Sequence, residues 1–95
     1  MAKAFDVAEY LLSKADITEN DMTHMKLQKL LYYCQGFSLA LLGHPLFPEV
    51  VEAWLHGSVV PVVYQAFKHY GKAPLERTGL GAIDALTSEE KALID

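Results

Sequence analysis

The feature that most constrains the fold is the stretch "THMKLQKLLYYCQGFSLALLG", residues 23 to 43. Within it Leu27, Leu30, Leu31, Cys34, Phe37, Ser38 and Leu41 recur at three- and four-residue spacing, while Lys26, Lys29 and Gln35 fall away from that stripe. Such a period places one apolar face along a helix and predicts the central helix of a small bundle. Thr23 is the expected N-cap and Gly43 the expected residue just past the C-terminus, with Pro45 blocking continuation. Gly36 inside the run costs about 1 kcal/mol relative to alanine, so the sequence predicts a close backbone approach by another helix there.

The flanks supply shorter elements. Residues 4 to 14 place Ala4, Ala8, Leu11 and Leu12 on one helical face that Ala15 extends, with Glu9 and Lys14 directed outward. Pro61 opens a third helix over residues 61 to 70, in which Val62, Ala66, Phe67 and Tyr70 face the core and Gly71 terminates the run. Between them, "EVVEAWLHG" reads as an extended or short irregular segment. In "TSEEKALID" Thr87 as N-cap with Glu90 three residues on forms a capping box. The fold class expected is therefore mainly α or all-α, a compact small helical bundle with an irregular or short extended connector around residues 46–60. Residues 1–95 read as a single domain, cut at its C-terminal side within a helix that begins near residue 87.

The 52% apolar share is high for so short a chain and leans toward a surface that a partner covers. The net charge of −4 is uneven, with residues 1 to 22 at −3, 23 to 80 at +2 and 81 to 95 at −3. That distribution is no nucleic-acid footprint, and Lys68, His69, Lys72 and Arg77 read as a solvated face. One cysteine excludes an internal disulfide and any Cys-rich zinc motif. There is no cationic leader before an apolar stretch and no apolar run long enough to span a bilayer, so the expected location is cytoplasmic, away from the membrane.

No arranged catalytic set emerges. His24, His44, His56 and His69 lack the spacing that would put two imidazoles on one helix face, so no metal is expected. Ser58 lacks the flanking glycines of a nucleophile elbow and reads as a turn residue, and Cys34 reads as a buried, inert thiol. No glycine-rich element matches a phosphate loop. The chain reads as a non-enzyme without cofactor. Tyr32 and Tyr33, being adjacent, lie about 100° apart on a helix, so one of them must edge the surface.

Two blocks, "MKLQKLLYYCQGFSLALLGHPLF" and "VEAWLHGSVVPVVYQAFKHYG", resemble the SocA-like antitoxin family, also called the Panacea domain, whose members are grouped with phage-associated proteins. The resemblance spans about residues 5 to 95 and rests on Leu27, Gln28, Lys29, Leu30, Leu31, Tyr32 and Tyr33, on Pro45, Leu46 and Phe47, and on Glu52 to Trp54, His56, Gly57, Val59, Val60, Pro61 and the Tyr64 to Gly71 segment. Ser58 departs from the proline usual before Val-Val-Pro, and relatives continue past Asp95. The resemblance implies a helical, non-catalytic domain that neutralises a co-encoded toxin by direct binding. It also implies a possible role as an adaptor that presents the toxin to a AAA+ protease; self-association would be a further way to cover an exposed face. The working protein-binding set is Tyr32, Tyr33, Trp54, His56, Tyr64 and Lys68. A phage-associated structural or accessory interaction protein is the alternative, and a nucleic-acid-binding regulator, which would need more exposed cations than Lys26 and Lys29, is the weaker one.

Overall fold

A computed structural model describes residues 2–18, 22–55, 57–70, 75 and 83–94. The order is α1 (Ala4–Thr18), α2 (His24–Leu41), β1 (Glu52–Trp54), β2 (Gly57–Val59), α3 (Pro61–Phe67) and α4 (Ser88–Ile94), with 3₁₀ turns at Lys68–Tyr70 and Ile83–Ala85. The expected helical bundle with a short extended connector is the observed architecture. The connector becomes an antiparallel hairpin in which Glu52 faces Val59, Ala53 faces Ser58 and Trp54 faces Gly57. Ser58, expected in a turn, is therefore a strand residue.

Local chemistry explains the element ends. The Thr23 hydroxyl accepts from the Lys26 N–H at 3.3 Å and caps α2. At its other end Leu42 and Gly43 both donate to the Ser38 carbonyl, at 2.8 and 3.0 Å, with Gly43 at φ 76°, a conformation glycine adopts without a Cβ penalty. Pro61 occupies the first turn of α3, where its missing N–H is no loss. α3 ends earlier than expected, at Phe67, because residues 68–70 tighten into a 3₁₀ turn; Gly71, the expected terminator, lies outside the described residues. Thr87 and Glu90 form the expected capping box: Glu90 Oε1 accepts from the Thr87 N–H at 2.9 Å, and Thr87 Oγ1 accepts from the Glu90 N–H at 3.1 Å.

The core is built from Val7, Leu12, Leu27, Leu31, Leu46, Phe47, Val63 and Phe67, all essentially inaccessible to water. Full burial of each such side chain contributes about 1.5–3 kcal/mol. Three expectations about faces are corrected. Glu9 is only 3% exposed, because the run Val7 to Leu12 is buried throughout, with α1 contacting α2, α3 and the Ile83–Ala85 turn. Val62 on α3 is exposed, the buried positions being Val63 and Phe67. On α2, Phe37 (56%) and Leu41 (70%) are exposed and Leu30 is partly buried. The buried face of that helix keeps the expected Leu27, Leu31, Cys34 and Ser38 and adds His24 and Gln28.

Gln35 and Gly36 also differ from expectation. Gln35 does not point away: its Nε2 donates to the Phe47 carbonyl at 2.9 Å and its Oε1 accepts from the Leu46 N–H at 2.7 Å, which seats the Leu46–Phe47 plug under the helix. Gly36 is exposed, and a methyl group there would meet nothing within 4 Å, so no helix of the described residues approaches it. Among the described residues no helix is long and apolar enough to cross a membrane.

Candidate protein-binding surface

Because α2 turns His24, Leu27, Gln28, Leu31 and Cys34 inward, its opposite side must carry Met25, Lys26, Lys29, Tyr32 and Tyr33. These five line a groove of about 510 Å³ whose far wall is Gly57 and Ser58 of β2. The Tyr32 and Tyr33 rings lie 5.6 Å apart at 43°, and both are about half exposed, 47% and 46%. The expectation that one of the pair would lie at the surface is exceeded, because Leu31 and Cys34 occupy the inward positions on either side of them.

Gly57 has φ 123°, a region that any other residue enters only with strain, so the strand wall opposite the tyrosines keeps a bare backbone. Among the described residues the groove is lined by two ammonium groups and no carboxylate, on a chain whose net charge is −4. It also sits beside the positive end of the α2 dipole, and the first turn of α2 has no acidic residue.

A second aromatic group lies where the hairpin meets α3. Trp54 packs edge-on against Tyr64 at 4.7 Å and 62°, and Tyr64 in turn covers His24 of α2 at 4.6 Å and 59°. Trp54 Nε1 donates to Glu52 Oε1 at 3.0 Å, which holds the indole along the exposed strand. Tyr64 is therefore only partly exposed, and its ring is a lid on a buried imidazole. Burial lowers the His24 pKa, and neither ring nitrogen has a hydrogen-bond partner among the described residues.

The structure thus divides the sequence-derived set. Tyr32 and Tyr33 share the groove, whereas Trp54 and Tyr64 share a ring stack with His24. Lys68 is exposed in the turn after α3, four residues beyond Tyr64. His56 lies outside the described residues.

Of the motif positions, Leu27, Gln28, Leu31 and Phe47 are buried, Leu30 and Pro45 are partly buried, Pro61 starts α3, and Lys29 and Gly57 reach the groove. Met25, Lys26 and Ser58 complete the groove but were not among the sequence-derived binding residues. The helical ones were legible, since 25, 26, 29, 32 and 33 share one face of a helix.

Burial pushes the Cys34 thiol up to about 11, which leaves very little thiolate at neutral pH. Among the described residues no three His, Cys, Asp or Glu side chains gather as a metal-binding group.

The family model "Antitoxin SocA-like, Panacea domain" matches residues 27–95, starting within α2, so α1 lies before the matched region. Antitoxin SocA of Caulobacter vibrioides (strain NA1000 / CB15N) is 43% identical over 65 residues, a stretch that covers 68% of this chain and 35% of that relative. The chain thus spans about a third of the length of the curated relative it matches. No solved structure matches it. With the family model covering well over half of the sequence, the chain belongs to the SocA-like antitoxin, Panacea domain family.

Proposed function

We propose that this chain is the toxin-binding part of an antitoxin, which neutralises a co-encoded toxin by direct protein–protein contact. The observation that carries the reading is the exposed aromatic face of α2, where Tyr32 and Tyr33 flank a groove on a domain of antitoxin family. Neutralisation needs affinity and occlusion rather than reaction geometry. Rigid amphipathic rings with few rotatable bonds are the side chains that most often anchor such interfaces. Their neighbours on α2, Phe37 and Leu41, extend the apolar exposure toward the far end of the helix.

Co-expression of the full-length gene with its neighbouring reading frame tests the proposal. Restored growth and copurification of the two products support it; accumulation of both proteins without binding or rescue refutes it. The fate of the toxin separates two mechanisms. Persistent soluble toxin in a stable complex indicates occlusion, whereas disappearance of the toxin that requires a host AAA+ protease indicates an adaptor.

A further inference from the structure

We propose that the groove between α2 and β2 docks a protein segment that carries carboxylates beside one apolar side chain, and, resting on the antitoxin reading above, that this segment belongs to the toxin. The groove is amphipathic in a particular order. Lys26 and Lys29 are one turn apart and lie toward the N-terminus of α2, while Tyr32 and Tyr33 follow on the next turn, facing Gly57 and Ser58. Among the described residues neither lysine has an ion-pair partner. A ligand that fits must therefore bring negative charge to one end and an apolar group to the other.

The charge pattern of the whole chain narrows the class of ligand. The molecule as a whole is net acidic, at −4, which disfavours a long polyanion relative to a short acidic segment. Nucleic-acid binding draws on several phosphate contacts along a track, and two lysines do not make a track. A short acidic segment meets both lysines without extending onto the acidic remainder. Its apolar side chain then lies between the tyrosine rings and the side-chain-free Gly57, in a space of about 510 Å³ that accommodates one large side chain with room for its backbone.

The test is charge reversal on the intact full-length protein. Lys26→Glu/Lys29→Glu should leave the fold in place, since both side chains are exposed, the α2 cap uses only the Lys26 backbone N–H, and position 26 lies in the first helical turn, where negative charge is favourable. Circular dichroism and melting verify that. A random dodecapeptide library displayed on phage is panned against the wild-type protein, and the enriched peptides are synthesised and titrated by fluorescence anisotropy.

The expected result is enrichment of net-acidic sequences with an aromatic or aliphatic residue, whose affinity falls about tenfold or more in the reversed variant and weakens with added salt. Tyr33→Ala should weaken the same peptides without altering their charge preference. Enrichment without acidic bias, unchanged binding to the reversed variant, or displacement of the acidic peptides by a single-stranded oligonucleotide at lower concentration would each overturn the proposal. Growth assays keep the two readings separate. If wild type and the reversed variant rescue equally, the toxin does not use this groove although the antitoxin reading stands; if wild type fails to rescue, the antitoxin reading falls while the peptide titrations still decide the groove's chemistry.

Discussion

Gln28 of α2 accepts a hydrogen bond from the backbone N–H of Val60 at 2.8 Å, both residues being completely buried. Val60 is the hinge between β2 and α3, so one side chain fixes the strand wall of the groove to the helix that carries its tyrosines. The bond satisfies a backbone donor that the end of the hairpin and the start of α3 would otherwise leave unpaired in the core.

Replacement of Gln28 by Leu keeps the volume roughly constant and strands the Val60 N–H. The stranded Val60 N–H costs about 1–3 kcal/mol, offset in part because leucine also removes the buried Gln28 Nε2, which has no hydrogen-bond partner among the described residues, so a net loss of about 1 kcal/mol is expected from urea titration. In a chain of this size each kcal/mol lowers the melting temperature by about 4–8 °C. An unchanged urea midpoint would mean that water or a local shift replaces the glutamine.

Gln28 also shows what apolar periodicity misses. The bounds of α2, the caps at Thr23, Gly43 and Thr87 and the proline start of α3 were legible, because each rests on local chemistry, whereas α1 runs on to Thr18 and α3 stops at Phe67. The inward face of α2 was legible at Leu27, Leu31, Cys34 and Ser38, but its polar members were not, because long-range partners choose them: the Val60 amide recruits Gln28, the Tyr64 ring covers His24, and the Leu46–Phe47 backbone recruits Gln35. Phe37 and Leu41 fit the same apolar pattern yet stay exposed. The tyrosine pair was found from residue type alone, but the groove needed the hairpin, whose strands are three residues each and too short for a period-two signal.

His24 gives a pH dependence of defined sign. Burial lowers its folded-state pKa below the ordinary 6.5, so the unfolded chain binds the proton more readily. Its contribution to stability is complete above about pH 6.5 and is lost progressively as pH falls from there through the lower folded-state value. Urea titrations across this range should show wild type losing more stability on acidification than His24→Phe, which carries no titrating group. Parallel pH profiles for the two proteins would contradict this.

Glu90 is expected to couple two parts of the fold. Its Oε1 caps the Thr87 amide, and its Oε2 lies 3.3 Å from Nε2 of His44, in the turn after α2. Thr87→Ala should cost about 1 kcal/mol and raise amide exchange within α4, as loss of an N-cap does. Because the His44 side chain is about half exposed, at 48%, the coupling between His44→Ala and Glu90→Gln in a double-mutant cycle should stay below about 1 kcal/mol. A larger coupling would make this contact a principal attachment of α4.

The two tyrosines that sequence places together as interface anchors should separate in the laboratory. Tyr33 is half exposed on the groove, while Tyr64 is wedged between His24 and Trp54. Tyr33→Ala should leave the melting temperature near wild type, since exposed substitutions change stability by about 0.5 kcal/mol or less. If it anchors the toxin, the variant should lose about 2 kcal/mol of binding, roughly thirtyfold in affinity by calorimetry or anisotropy. Tyr64→Ala removes a ring contact with Trp54, a pair worth about 0.5–1.5 kcal/mol beyond area burial, and opens the His24 site to water. Its melting temperature should fall, and the extra pH dependence assigned to His24 should shrink as the imidazole becomes hydrated. Lost rescue by Tyr64→Ala together with lost stability identifies it as scaffold, whereas lost rescue at unchanged stability returns it to the interface. Full binding and rescue by Tyr33→Ala would remove that ring from the docking surface.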